Sequence, residues 1–344
     1  MQVFHAARVG LLQQMFEHAK SLVSKSALTS TPNSAGAILL FGEVLADCFL
    51  DREVVGGAPF NVARHLIGLG QGVGIDPVLV TRIGKDALGS RLMHVIRSCG
   101  LAIDGVQLDL LRPSGQVQVT LDAEAGGHRF DIAPDQAWDF IHADMARLIG
   151  LLCRPQWIYF GTLAQRGASK AALRTLLQTT HAHGFLDLNL RDPWVSQEAL
   201  HWSLSKAEIV KLNADELFRI ADLLGCAGPT PKALGEQLIG RYELRQLLVT
   251  EGDKGAWLLD SNNRYFHSQS QGTMIEVVDS VGAGDAFSAV FLLGLLQAWP
   301  VEMTLDRAHR FAGEVCKLRG AIPESDDFYL PFVTEWQLAG GHVG

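Results

Sequence analysis

Apolar residues fall along this chain in two rhythms. Short, nearly unbroken apolar runs at 37–41, 77–83, 157–160, 185–190, 208–212 and 246–250 are mostly closed by Gly, Asn or Thr, the pattern of strands buried on both faces. Between them apolar positions recur at helical spacing, most clearly at 59–69 and 88–98, and Pro59 suits the first turn of a helix. Strand alternating with helix predicts a mostly parallel sheet covered on both faces, with ligands at the carboxyl ends of its strands. Gly42 and Glu43, Gly161, Asn189 and Arg191, Asn213 and Thr250 all follow such runs.

Two stretches break the alternation. Residues 47–55 read as neither strand nor helix of the main pattern, and 116–121 with 128–132 alternate apolar and polar around Gly126-Gly127, a hairpin signature. The first 35 residues also stand apart. Leu11, Leu12, Met15, Phe16, Ala19 and Leu22 fall near helical spacing, and a Ser-, Thr-, Pro- and Asn-rich linker follows at 26–34. A targeting peptide is weighed there, but the segment lacks a continuous apolar core and is poor in Arg. The most apolar stretch, 287–296, is interrupted by Ser288 and followed by Gln297, too short to span a bilayer.

Composition narrows the partners. A chain of 344 residues with 48% hydrophobic and 19% charged residues is an ordinary globular protein with a large core. Its net charge of −8 argues against nucleic acid or an anionic membrane. Five scattered cysteines without C-x-x-C spacing suit a reduced, cytoplasmic chain and offer no zinc site. His181 and His183 have no third ligand nearby and read as a solvated helix end.

The run with the most chemistry is Asp279-Ser280-Val281-Gly282-Ala283-Gly284-Asp285, ahead of the long apolar stretch 286–299. Small residues let a phosphate approach backbone N–H groups, the first turn of a helix leaves such groups unpaired, and the helix dipole adds positive potential. Asp285 then stands where a general base for phosphoryl transfer is needed. A tight glycine turn before a core helix would use the same residues.

Far upstream lies a second run, Gly56-Gly57-Ala58-Pro59-Phe60-Asn61-Val62-Ala63, followed by Gly68 and Gly70. The two runs, in this order, resemble the two signatures of the ribokinase-like (PfkB) carbohydrate kinases, and the likeness extends from about residue 37 to residue 323. It implies a three-layer α/β/α fold with a mostly parallel central sheet, in one kinase domain at 36–335 after the 1–35 extension. It also implies a small β lid at about 47–55 and 112–133, whose face often pairs with a second subunit, so a homodimer is expected. Asp285 would be the base and Gly282, Ala283 and Gly284 the γ-phosphate cradle. Glu43, Asp47, Gly56, Gly57, Asn61 and Arg191 would bind the sugar. Asn213, Glu216, Thr250, Gly252 and Gly255 would hold ATP, with Glu216 reaching Mg²⁺ through water. Asp279 lies where some members bind a monovalent cation such as K⁺, and Gly320-Ala321 where the family closes over adenine.

Within the family, Gly42-Glu43 with Asp47, the Gly-Gly-Ala-Pro-x-Asn string and Asp187-Leu188-Asn189-Leu190-Arg191 before Trp194 lean toward fructokinase-like members. The Asn-x-Arg-x-x-Trp pattern also resembles the 2-keto-3-deoxygluconate kinases, whose carboxylate an arginine fits; Arg166 stands at another strand end. A nucleoside kinase, and a non-catalytic sugar- or nucleotide-binding member, are the further alternatives. Phe60, Ser114-Gly115 and Val290 depart from the common pattern, and Phe60 is expected to narrow the pocket.

Overall fold

A computed structural model describes residues 36–49, 52–122, 127–268 and 277–338; the 1–35 extension lies outside the described residues. The first half runs β1 (Ala37–Phe41), β2 (Leu45–Cys48), β3 (Glu53–Gly56), α1 (Ala58–Gly70), β4 (Asp76–Gly84), α2 (Ala87–Ser98), β5 (Val106–Asp109), β6 (Gly115–Asp122), β7 (Gly127–Ile132), α3 (Ala143–Cys153) and β8 (Trp157–Gly161). Then follow α4 (Ser169–Thr179), β9 (His183–Asp187), α5 (Gln197–Lys206), β10 (Ile209–Asn213), α6 (Ala214–Leu223), α7 (Pro231–Tyr242), β11 (Gln246–Thr250), β12 (Ala256–Asp260), β13 (Tyr265–His267), α8 (Ala283–Leu296), α9 (Val301–Val315) and α10 (Leu330–Glu335).

The main sheet has the order β13-β12-β11-β10-β9-β8-β1-β4-β5. It is parallel from β11 to β5 and antiparallel at the β11–β12–β13 edge. Successive strand residues point to opposite faces. Ile38, Leu40, Leu79, Tyr159, Phe185, Ile209 and Leu248 pack with α1, α2, α8, α9 and α10. Leu39, Phe41, Val80, Ile158, Phe160, Leu186, Val210 and Leu212 pack with α3 to α7. The apolar runs are nearly unbroken because both faces are covered.

The structure departs from simple alternation in two places. β9 ends at Asp187, short of residue 190, because Asn189 takes a positive φ of 41° and turns the chain out of the strand. After β11 no α-helix intervenes, only one 3-10 turn at Gly252–Lys254: Glu251 N–H donates to the Gly255 carbonyl at 2.8 Å, and so short a connection can only join antiparallel neighbours.

The two irregular segments form one four-stranded sheet, β3-β2-β6-β7, in which β2 and β6 run parallel. The β6–β7 hairpin is the one expected from its alternation. Ser114 anchors this lid to the main body. Its hydroxyl donates to Asp86 Oδ1 at 2.7 Å and accepts from Gly84 N–H at 2.9 Å, while Asp86 also caps α2 through Gly89 N–H. Phe60 corrects an expectation: it is fully buried in the core on the α8 side rather than narrowing a pocket. Among the described residues, no helix is long and apolar enough to cross a membrane.

Candidate active site

The N-terminus of α8 is held in place by contacts that only glycine permits. Gly282 caps the helix with φ +82°, and a Cβ there would lie 2.5 Å from Ala321 Cα. The preceding loop is tied by Asp279, whose Oδ1 accepts from Val281 N–H at 3.0 Å and whose Oδ2 accepts from Gly320 N–H at 3.1 Å. Gly284 and Asp285 follow in the first turn, where N–H groups have no partner within the helix. The Gly-Ala-Gly-Asp run is therefore a helix start, and Gly284 is exposed on it.

Asp285 is held from across the molecule. Asn61 Nδ2 on α1 donates to its Oδ2 at 2.8 Å. Gly57, at φ +108°, lets α1 begin against β1's exit; a Cβ on it would lie 2.6 Å from the Glu43 carbonyl oxygen. A Cβ on Gly56 would lie 2.7 Å from Asp47 Oδ2, so both glycines hold the corner between the small sheet and α1 open beside Glu43 and Asp47. Asn61 is buried, and its Oδ1 is a buried acceptor with no partner.

Three carboxylates converge here. Burial pushes Glu43 up to about 7, helped by the nearby Asp285 charge and opposed by hydrogen bonds from its own backbone N–H and that of Ala58. Burial likewise raises Asp47 to about 6, against the pull of Arg191. It raises Asp285 to about 6, with Asp187 adding to the rise and Asn61, Lys211 and Arg191 opposing it. Arg191 therefore lies within electrostatic reach of all three, in the loop after β9. It also lines a cleft of about 760 Å³ with Ile132, Pro134 and Trp194.

The ends of β10 and β11 lie in register at Asn213 and Thr250. Asn213 Oδ1 accepts from Glu216 N–H at 2.9 Å and Glu216 Oε2 accepts from Asn213 N–H at 3.0 Å, a reciprocal capping box on α6. Glu216 Oε1 also accepts from Leu190 N–H at 2.7 Å, which joins the arginine loop to the α6 start. Gly252, at φ +61°, has nothing within 4 Å of its Cβ position. Gly255 is a turn residue at φ +103°, with Ser268 Oγ 2.5 Å from where a Cβ would be.

The sequence profile of the pfkB family carbohydrate kinases matches residues 34–327. The chain belongs to that family. A probable fructokinase-5 of Arabidopsis thaliana is 27% identical, over 83% of this chain and 93% of that protein. Among solved structures, a fructokinase with bound ATP from Xylella fastidiosa superposes with a TM-score of 0.73 at 22% identity, covering 88% of this chain and 99% of that one. A 2-dehydro-3-deoxygluconokinase from Thermotoga maritima reaches 0.74 at 16% identity, covering 87% and 99%. The fold is accordingly ribokinase-like, and the chain is a sugar kinase of PfkB type.

In this PfkB chain, Arg166 is engaged elsewhere. It donates to both oxygens of Asp139 at 2.8 Å and to the Ala133 carbonyl, and its guanidinium lies between Trp138 and Trp194. Arg191 is thus the arginine of the pair that faces the carboxylates. Sequence reasoning passed over Lys211, whose Nζ lies 2.9 Å from both oxygens of Asp187. Ser288 Oγ and Tyr159 OH also donate to Asp187 Oδ2, at 2.7 and 3.2 Å. The signal was available: a lysine inside the apolar run Ile209-Val210-Lys211-Leu212.

Proposed function

We propose that this chain transfers the γ-phosphate of ATP to a primary hydroxyl of a monosaccharide, fructose being the first expectation. The observation that carries the reading is Asn61. One side of its amide holds Asp285 at 2.8 Å, and the other presents a buried acceptor without a partner. Buried polar atoms are rarely left so, and a sugar hydroxyl placed beside Asp285 would satisfy it. With Asp285 Oδ2 accepting from Asn61, its Oδ1 takes the proton of the attacking hydroxyl. A base of about 6 is ionised at neutral pH, and in a loose phosphoryl-transfer transition state orientation matters more than basicity.

The Gly282–Gly284 backbone would cradle the transferring phosphoryl group. Asn213, Thr250 and Gly252, on the neighbouring strand ends, would line the nucleotide, while Gly255 shapes the loop. A divalent cation carried with the nucleotide would neutralise phosphate charge. Glu216 keeps outer lone pairs beyond its two backbone bonds and would hold that ion's waters. Asp279 is already bonded to its loop, so a monovalent cation beside it would show as K⁺-dependent turnover.

The charge balance supports a neutral sugar. Glu43, Asp47 and Asp285 share one arginine, Arg191, while Lys211 is paired with Asp187 and Arg166 with Asp139. The carboxylate of 2-keto-3-deoxygluconate would compete with three others for Arg191. Fructose brings no such charge, and the curated relative named above carries the fructokinase name. The five cysteines are all free, which suits a cytoplasmic setting. A homodimer through the lid belongs to the same reading, and a monomer by sedimentation at micromolar concentration would remove it.

ATP-to-ADP turnover with Mg²⁺ across fructose, ribose, tagatose, 2-keto-3-deoxygluconate and adenosine tests the substrate. Fast turnover with fructose is expected; a rate confined to the sugar acid or to adenosine would overturn that choice. Asp285→Asn is expected to abolish turnover while sugar binding persists. Near-normal turnover in that variant would remove Asp285 as the base.

A further inference from the structure

Asp187 and Lys211 break the pattern of the strands that carry them. They face each other on neighbouring parallel strands. Each lies two residues past an apolar residue of the α8-side core, Phe185 and Ile209, so the period of two puts both beneath α8. They are 3% and 5% exposed. Both oxygens of Asp187 receive the ammonium, and Tyr159 and Ser288 add two further donors to one of them. Replacing a buried ion pair by packed apolar residues is often neutral or stabilising, so stability alone does not account for it.

Its location does. A Cβ added to Gly284 would lie 3.4 Å from Lys211 Nζ, and Gly284 itself is exposed. One glycine thickness therefore separates the buried ammonium from the surface where the first-turn N–H groups gather. Ser288, one helical turn on, shares its single hydroxyl hydrogen between Asp187 Oδ2 at 2.7 Å and the Gly284 carbonyl at 3.0 Å, which places the pair against the helix start.

We propose that Lys211 and Asp187 are a positioning pair for phosphoryl transfer: the ammonium adds positive potential to the Gly282–Gly284 cradle from below, and the carboxylate holds it there while the two together set the charge on Asp285. The proposal rests on the kinase reading above. Around Asp285 stand Asn61 from α1, Glu43 and Asp47 from the β1–β2 segment, Tyr159 from β8, and Arg191 after β9. The pair beneath is the one whose members act on Asp285 in opposite senses, Asp187 raising its pKa and Lys211 lowering it.

The test uses the full chain as wild type, Lys211→Met, Lys211→Arg, Asp187→Asn and the double variant Lys211→Met/Asp187→Leu. Calorimetry with Mg²⁺ compares ADP with β,γ-imido-ATP, which needs no sugar and no turnover. Lys211→Met is expected to weaken the imido-ATP by about tenfold, the scale of one charge-assisted contact, and to leave ADP within about twofold; Lys211→Arg recovers part of the difference. With sugar present, kcat falls about a hundredfold, the scale of one lost donor to developing charge, while sugar KM stays within about threefold. The acid limb of kcat/KM moves to higher pH in Lys211→Met and to lower pH in Asp187→Asn.

The double variant removes both charges, so it is expected to keep wild-type thermal stability and still lose the rate and the imido-ATP preference. A folded double variant with wild-type kcat would overturn the proposal, as would acid limbs that do not separate in opposite directions. If wild type binds nucleotide and no variant changes the imido-ATP preference, the proposal fails alone. If wild type binds neither nucleotide, the kinase reading fails and the proposal with it.

Discussion

Glu43→Gln measures what the carboxylate cluster costs the fold. Glu43 is buried, its Oε1 accepts from Ala58 N–H at 3.3 Å, and burial raises its pKa from the ordinary 4.5 to about 7. A group raised on folding binds its proton more tightly in the native state. Its stabilising share is therefore complete below about pH 4.5 and is lost as pH rises toward 7. At about 1.4 kcal/mol per pKa unit, ionising Glu43 in place costs about 3 kcal/mol by pH 8. Glutamine mimics the protonated acid, keeps the acceptor for Ala58 and has no charge to desolvate. With an unfolding entropy of about 2 cal/mol/K per residue over roughly 300 ordered residues, 3 kcal/mol corresponds to about 5 °C in Tm. Thermal unfolding of both forms from pH 4 to 8, without ligands, is the assay. The two curves are expected to meet near pH 4 and to separate by about 5 °C at pH 8, the variant being the more stable. Parallel curves, or a variant less stable throughout, would refute the burial argument and the acidic pocket built on it.

Three further outcomes follow from the same geometry. For kcat/KM, activity is expected to fall as pH drops through about 6, where Asp285 protonates, the apparent value belonging to the coupled cluster with Asp47 and Glu43; a flat profile from pH 5 to 8 would count against Asp285 as the base. Gly282→Ala places a Cβ at a φ of +82° and 2.5 Å from Ala321 Cα. It is expected to cost about 1–2 kcal/mol from φ alone and to lower kcat by more than the folded fraction explains, as seen by comparing rate with Tm. Arg166→Met leaves Asp139 buried without its guanidinium, and is expected to destabilise by about 3–5 kcal/mol while the ratio of fructose to sugar-acid turnover stays fixed in the folded protein. A changed ratio would return Arg166 to the substrate.

The sheet was legible because strands covered on both faces leave nearly continuous apolar runs, and the runs ending at Gly42, Gly161, Asn213 and Thr250 became β1, β8, β10 and β11. The edge beyond β11 was not, because the run that became β12 carries no marker of direction; the brevity of the 251–255 loop decides it. Phe60 shows the limit of reading position as role: it stands inside a signature run, yet the turn of α1 that aims Asn61 at Asp285 aims Phe60 into the core.

The same distinction explains Lys211 and Asp187. Polar residues in glycine-rich or loop-like settings stand out in the sequence, because chemistry has room there. A polar residue inside an apolar strand does not, since its partner on the neighbouring strand is 24 residues away in sequence. Only the register of β9 on β10 brings the two charges together, and only the arrival of α8 sets Gly284 above them. The loop residues show where a ligand would lie, whereas the strand residues set the potential it meets. That second contribution depends on tertiary structure, so it becomes visible when the period-two face of each strand is followed to the helix covering it.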